Sequence, residues 1–307
     1  MKYLIGIDGG GTKTKCVITD FQLKPLFETT GGPSNFLIQG TDKVSETILG
    51  LIIKCVNNLQ IQFSDVAAIV LGTTGGGRQN DAEDLEKAIT HLAAHKKIPL
   101  NIFKVESDAR IALEGAFSGK PGSILIAGTG SIMFGKDRKG NIHRVGGFGR
   151  FIGDEGSGFS IGQKGLRIVA KQFDGRGNKT LITDLLKEKF KIESPEKLIN
   201  EIYRNNFDIA SVAPLVIEAA EKGDKAAQFI IESETEELIL HIESMRKKLK
   251  EKKIFVALIG SLITTDNYFS FLFREKVVQK FNDVVIKEPE NPPEIGAVLM
   301  AKQLSSQ

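Results

Sequence analysis

The chain has 307 residues, 41% of them hydrophobic and 26% charged, and 41 basic against 38 acidic side chains leave a formal charge of +3. Such a length and apolar content suit two globular domains with filled cores and exclude a disordered or fibrous chain. The basic residues are scattered except in MRKKLKEKK, Met245 to Lys253, which reads as the solvated C-terminal end of a helix rather than a nucleic-acid surface.

Two cysteines, Cys16 and Cys55, are too few for a disulfide scaffold or a closed cysteine-based metal site in one chain, and both stand among apolar neighbours. No apolar run reaches the roughly 18 residues a membrane helix needs, and a strand begins at Lys2 without a signal-like apolar segment. A soluble, cytoplasmic protein is expected, with no membrane or nucleic-acid partner.

In chain order, KYLIGID is a short apolar run ending in glycine and reads as a buried strand. From Thr14 to Thr19, period-2 alternation rich in β-branched residues predicts a second strand, and KPLFETT a third. TDKVSETILGLIIKCVNNL then places Val44, Ile48, Leu51, Ile52, Cys55 and Leu59 on one helical face. VAAIVLG (strand), QNDAEDLEKAITHLAAH (helix), NIFKVES (strand) and DARIALEGAF (helix) complete an α/β layer.

GKPG, Gly119 to Gly122, punctuates the chain, and the scheme restarts with strands at SILIAG, IMFGKD and NIHRVGGFG. A helix-rich stretch from about Gly156 to Lys250 follows, with helices expected at SIGQKGLRIVAKQF, TLITDLLKEKF, PEKLINEIY and DKAAQFIIESETEELILHIESMRKKL. Strand KIFVALIG, helix NYFSFLFREKVVQKF, strand DVVIKE and helix PEIGAVLMAKQL close the second unit. No repeat of solenoid period is present.

The stretch IGIDGGGTKTKCVITD, Ile5 to Asp20, departs from both helix-capped nucleotide motifs. In a P-loop, lysine follows the second glycine and a helix follows the lysine; here Thr12 intervenes before Lys13 and a strand comes next. The dinucleotide fingerprint fails because Thr14 stands where its third glycine belongs. What remains is a β-hairpin whose small-residue turn can present backbone N–H groups to an oxyanion, with Thr12 adding a hydroxyl. Asp8, at the strand end, would hold a hydrated magnesium ion. A plain hairpin turn is the alternative, and recurrence of the pattern in ILIAGTGSIMFG favours a pair of phosphate hairpins.

On these two hairpins the chain resembles the actin-like ATPase superfamily, and more narrowly the BadF/BadG/BcrA/BcrD-type ATPase family with its N-acetylglucosamine kinases. GIDGGGTKT resembles the first phosphate hairpin and GTGS, Gly128 to Ser131, the second; GTTGGGRQND, ESDARIAL and GGFGRFIGDEGSGFSIG are further family-like segments. The resemblance implies an α/β fold of two ribonuclease-H-like domains with a central cleft, the second carrying a helical insertion. The boundaries expected are 1–118 plus a returning C-terminal helix at about 292–307, and 119–291.

By the same resemblance Gly10, Gly11, Thr12, Lys13, Gly128 and Thr129 bind ATP, as do Gly260 and Ser261 of ALIGSL, a departure from the superfamily's usual glycine pair. Asp108 is the implied general base, in the first turn of its helix, where the helix dipole alone would also favour an aspartate. Asn35, Asp108, Gly130, Ser131, Gly147, Gly149 and Asp154 are the implied sugar-binding residues; Asn35 also suits a turn, and Asp154 and Glu155 a helix cap. Gly296 and Ala297 suit close packing of the last helix.

Arg78 and Arg150 are candidate anion contacts or plain surface charges, and the four histidines show no metal-ligand spacing, His91 and His95 reading as a solvated pair. The implied activity is an ATP-dependent amino-sugar kinase making N-acetylglucosamine 6-phosphate, with ATP and Mg2+ as cofactors, domain closure excluding water, a small sugar as partner and a homodimer left open. Glucosamine or N-acetylmuramic acid as acceptor, an iron–sulfur ATPase activator of dehydratases and a non-catalytic sensor are the alternatives.

Overall fold

In the computed structural model, which describes residues 2–77 and 79–306, β1 (Tyr3–Gly9) is buried on both faces along Leu4–Ile7. It pairs antiparallel with β2 (Thr14–Asp20), and β2 antiparallel with β3 (Pro25–Gly31). After α1 (Phe36–Gln39) and α2 (Thr41–Asn58), β4 (Val66–Thr73) adds parallel to β1. Helix α3 (Gln79–His95) leads to β5 (Phe103–Ser107), parallel to β4, and then to α4 (Asp108–Ala116). The sheet order is β3-β2-β1-β4-β5.

Side-chain alternation divides β1 between two cores. Ile5 and Ile7 pack with Cys16 and Ile18 of β2 and with Ile48, Ile52 and Cys55 of α2, whereas Leu4 packs with Val17, Val70, Ile111, Ala297 and Ala301.

The second sheet starts with β6 (Gly122–Ala127), β7 (Ser131–Lys136) and β8 (Ile142–Gly146). Helices α5 (Gly158–Phe173), α6 (Leu181–Phe190), α7 (Pro195–Arg204), α8 (Ala213–Glu221) and α9 (Lys225–Leu249) follow, then β9 (Ile254–Ile259), α10 (Ser261–Thr264), α11 (Tyr268–Lys280) and β10 (Val284–Lys287). Its order, β10-β9-β6-β7-β8, read from the β8 edge matches the first sheet, and β9 and β10 add in parallel as β4 and β5 do. The last helix, α12 (Pro293–Leu304), rejoins the first sheet: the chain forms one compact unit from the residues up to Gly122 together with those from Glu288, and another from Ser123–Lys287.

Close approach of α12 depends on glycine. A Cβ on Gly296 would lie 1.9 Å from the Ile111 carbonyl oxygen of α4, one on Gly115 2.7 Å from the Pro292 carbonyl, and one on Gly6 2.1 Å from the Glu294 carbonyl. Among the described residues no helix is long and apolar enough to cross a membrane.

Three helices differ from the sequence expectation. Helix α8 is short and largely apolar, with Ala213, Leu215, Val216, Ile217, Ala219 and Ala220 buried, so only Pro214, Glu218 and Glu221 on its outer face mark its period. Helices α1 and α10 are single turns of four residues, too short to show a period. The basic run behaves as expected: α9 ends at Leu249 with Lys250 in the left-handed conformation and Arg246, Lys247 and Lys248 in its last turn. Helix α5 begins at Gly158, two residues before the expected Ser160, and is capped by Ser157, whose Oγ accepts the Ser160 N–H, so the alternative reading of Asp154 and Glu155 as its cap does not hold.

Candidate active site

In the first unit the β1–β2 turn is closed by the Gly10 N–H donating to the Lys13 carbonyl at 3.0 Å, which leaves Gly11, Thr12 and Lys13 exposed. Neither Gly10 nor Gly11 has a positive φ, and a Cβ on Gly11 would meet nothing within 4 Å. The turn therefore does not need glycine at 11 for its own geometry; the missing side chain leaves bare backbone for a ligand to approach. The turn is anchored from behind, the Gly9 carbonyl accepting the Thr74 N–H (3.1 Å) and the Gly10 carbonyl the Ser34 N–H (3.0 Å).

Asp108 is the first residue of α4, after the N-cap Ser107, whose Oγ accepts the Arg110 N–H. Its Oδ1 accepts the Ala109 N–H at 2.8 Å and its Oδ2 accepts the Thr74 hydroxyl at 2.9 Å. Thr74 thus holds the end of β1, at the β1–β2 turn, through its backbone and the Asp108 carboxylate through its side chain.

Burial raises the carboxyl of Asp8, at the end of β1, to a pKa of about 6; the negative charges of Glu294 and Asp108 add to the rise, while Lys15 and Lys13 oppose it. Glu294, in the first turn of α12, is 2% exposed and ion-paired to Lys15, which also reaches Glu28 at 3.3 Å. Asn35 N-caps α1, its Oδ1 accepting the Leu37 N–H at 3.2 Å. Arg78 lies outside the described residues.

In the second unit the β6–β7 turn has the same economy. A Cβ on Gly128 would meet nothing within 4 Å, and its φ is not positive. The Gly128 N–H donates to the Gly130 carbonyl (2.9 Å), while the carbonyls of Gly128 and Thr129 accept the Gly158 and Phe159 N–H groups at the start of α5 (2.8 and 3.1 Å). Ser131 is buried, and its hydroxyl donates to the Glu155 carbonyl at 2.5 Å. Gly260, before α10, has φ 98°, and a Cβ there would come 2.4 Å from the Ala127 carbonyl; Ser261 opens the helix.

Between β8 and α5 the loop turns through left-handed backbone at Gly146, Gly147, Gly149 and Gly156, and also at Asp154, with φ 57°. The Asp154 Oδ1 accepts the Gly149 N–H at 3.3 Å, and a Cβ on Gly130 would stand 2.9 Å from Oδ2, so glycine at 130 makes room for this carboxylate. Burial raises its pKa; the Gly149 amide opposes this, as do the Ser131 amide and the charge of Arg144, while Glu155 adds to the rise. Arg144 donates to the carbonyls of Gly146 (3.1 Å) and Gly147 and lies over the Phe148 ring. The exposed Arg150 is 5.1 Å from the Phe151 ring centre and 5.7 Å from that of Phe159.

The first unit thus brings together the 10–13 turn, Asp8 and Asp108, and the second brings together the 128–131 turn and Asp154. Sequence reasoning missed Thr74, Glu294 and Arg144. Glu294 had no local signal, since its cation Lys15 lies 279 residues away; Thr74 stood in a segment already singled out, but nothing nearby marked its hydroxyl. Cys16 and Cys55 are fully buried with their sulfurs 3.5 Å apart, as core residues. No group of three or more His, Cys, Asp or Glu among the described residues is placed to hold a metal ion by itself.

The BadF/BadG/BcrA/BcrD ATPase family model matches residues 5–301. An N-acetylmuramic acid/N-acetylglucosamine kinase of Clostridium acetobutylicum is 36% identical over 307 residues, covering 98% of this chain and 99% of the relative. An N-acetyl-D-glucosamine kinase of Dictyostelium discoideum is 32% identical over 312 residues, covering 97% of each. Among solved structures, a Chromobacterium violaceum protein described as a candidate N-acetylglucosamine kinase aligns over 99% of both chains with TM-score 0.76 and 25% identity. A Streptomyces griseus glucokinase of the ROK family shares the fold at TM-score 0.56 and 14% identity, over 98% of this chain and 99% of its own. The chain therefore belongs to the BadF/BadG/BcrA/BcrD ATPase family, within the actin-like fold of the sugar kinases.

Proposed function

We propose that the protein is an ATP-dependent amino-sugar kinase that transfers the γ-phosphoryl group of ATP to the 6-hydroxyl of N-acetylglucosamine. The observation that carries this reading is Thr74: one residue ties a bare glycine turn suited to phosphate to a carboxylate suited to deprotonating a hydroxyl. The amino-sugar kinases named among the relatives support the acceptor class.

In this reading Asp108 takes the proton of the sugar hydroxyl as its oxygen bonds to the γ-phosphorus and the bond to the β-phosphate oxygen breaks, releasing ADP. Gly10, Gly11, Thr12 and Lys13, with Gly128 and Thr129, would bind the polyphosphate through backbone amides, the Thr12 hydroxyl and the Lys13 ammonium, and Gly260 with Ser261 would face the adenosine. Asn35, Gly147, Gly149 and Asp154 would orient the sugar, Asp154 accepting hydrogen bonds from its hydroxyls.

Magnesium fits the residues of the first unit. Asp8, Asp108 and Glu294 are near enough for Asp8 to feel both other charges, yet no cluster encloses an ion directly, which suits a cation that keeps most of its water and binds through one or two carboxylates. Asp8 would hold it through water, and when bound it supplies neutralisation of the polyphosphate charge.

Two observations favour a wider acceptor range: the Clostridium acetobutylicum relative is named for both N-acetylmuramic acid and N-acetylglucosamine, and Arg144 and Arg150 flank the Asp154 loop with cations suited to a lactyl carboxylate. The activator alternative loses its support in the cysteines, which are fully buried in one core and cannot share a cluster with another subunit. An ADP-release assay against glucose, glucosamine, N-acetylglucosamine and N-acetylmuramic acid tests the proposal. Turnover stimulated by N-acetylglucosamine is expected; no stimulation by any sugar refutes the kinase reading.

A further inference from the structure

We propose that Glu234 of α9 is a positioning residue for Asp154, because its carboxylate and the Ser131 hydroxyl grip the peptide between residues 155 and 156 from opposite sides. The proposal rests on the reading of Asp154 as a sugar-binding residue.

Glu234 is only 1% exposed, although it carries a charge in the middle of a helix. Its Oε2 accepts the Gly156 N–H at 2.6 Å and its Oε1 is ion-paired to Lys164 of α5. The carbonyl of the same peptide unit, that of Glu155, accepts the Ser131 hydroxyl at 2.5 Å. Both hydrogen-bonding groups of one peptide are therefore held by side chains from two different elements, β7 and α9. The residue directly before this peptide is Asp154.

Neighbouring residues on α9 extend the support. Glu234, Leu238 and His241 follow one another at spacings of four and three, so they line one face of the helix. A Cβ on Gly156 would meet the Leu238 side chain at 2.4 Å, and one on Gly146 would stand 2.2 Å from the His241 Nε2. The same helical face thus supports both ends of the loop, Gly146 and Gly156, and Asp154 lies between them.

Asp154 needs such support. It is not glycine, yet it holds φ 57°, a conformation that L side chains adopt at a cost and that persists where surrounding contacts enforce it. An aliphatic residue could fill the volume at 234 without the desolvation cost of a buried charge, but only an acceptor can hold the Gly156 amide.

Two substitutions separate the grip from the charge. Glu234→Asp keeps the charge for Lys164 but shortens the reach to Gly156, and Glu234→Gln keeps the reach and an acceptor oxygen without the charge. In the full-length protein, Glu234→Asp is expected to raise the KM for N-acetylglucosamine about tenfold or more while the KM for ATP stays within about twofold, the loss of one strong hydrogen bond. Glu234→Gln is expected to keep the sugar KM within about threefold of wild type.

Hydrogen exchange of the Gly156 amide supplies a readout free of catalysis: faster in Glu234→Asp and protected in Glu234→Gln. An unchanged sugar KM in Glu234→Asp, a Glu234→Gln protein as weak for sugar as Glu234→Asp, or equal rises in both KM values would overturn the proposal. Asp154→Asn is the control. If its sugar KM is that of wild type, the sugar-binding reading of Asp154 fails, and exchange at Gly156 then reports on the grip alone.

Discussion

Asp8 is costly to the folded chain as an anion. Its carboxyl is raised from 3.8 to about 6 by burial and by the Glu294 and Asp108 charges, so the folded state binds its proton more tightly than the unfolded state does. The destabilisation is complete above about pH 6 and fades as the pH falls toward the unfolded value of 3.8. Asp8→Asn should therefore stabilise the metal-free protein at pH 7.5 by about 1–3 kcal/mol and by much less at pH 4, measured by urea denaturation at both pH values. A gain of the same size at both would contradict the assigned burial cost. Thr74 gives a kinetic counterpart: Thr74→Val removes the hydroxyl that orients Asp108 and should lower kcat about tenfold at nearly constant sugar KM, with Thr74→Ser close to wild type. If kcat in Thr74→Val is unchanged, Asp108 does not depend on this bond.

At the scale of elements, the two hairpin turns can be tested through their glycines, which fall into two kinds. Gly11 and Gly128 have neither a positive φ nor a neighbour that a Cβ would touch, so Gly11→Ala and Gly128→Ala should leave the melting temperature unchanged or slightly raised. Each should nevertheless raise the KM for ATP about tenfold if the bare backbone is where phosphate sits. Gly260 is the contrast: φ 98° and the Ala127 carbonyl 2.4 Å from a Cβ make Gly260→Ala destabilising before any ligand is considered. An unchanged ATP KM in both hairpin variants would leave them as plain turns.

The same contrast explains what could be read in the sequence. The glycine–threonine turns stand between recognisable strands, so the hairpins and the α/β scheme were legible. Helix α8 was not, because its nine residues leave only Pro214, Glu218 and Glu221 to mark an outer face, and neither were Glu234 and Glu294, whose partners lie 78 and 279 residues away. The alternative reading of Asp154 and Glu155 as a cap fails because left-handed backbone at Asp154 and Gly156 precedes Ser157, the residue that caps the helix.

For the whole molecule, α12 is what makes the first unit complete. It covers the sheet face that Leu4, Val17 and Val70 present, and it rests on α4 through Gly296 and Gly115. Gly296→Leu places a branched side chain where a Cβ would already lie 1.9 Å from the Ile111 carbonyl oxygen and should cost about 3 kcal/mol or more. The loss should fall on the first unit, so calorimetry of this variant is expected to split into two transitions, the later one belonging to Ser123–Lys287. A single transition shifted as a whole would show that the two units unfold together.

The return of α12 also sets an order of events during synthesis. The ion pair between Lys15 and Glu294 spans 279 residues, so at about 5–20 residues per second a ribosome needs roughly 15–60 s after making the first strand to supply its last partner. Throughout that interval, while Ser123–Lys287 is being made as one uninterrupted stretch, the nascent first sheet waits with one apolar face uncovered. The first sheet therefore stays incomplete until α12 is made, and chaperones acting on this chain have their clearest target in the strands of that sheet.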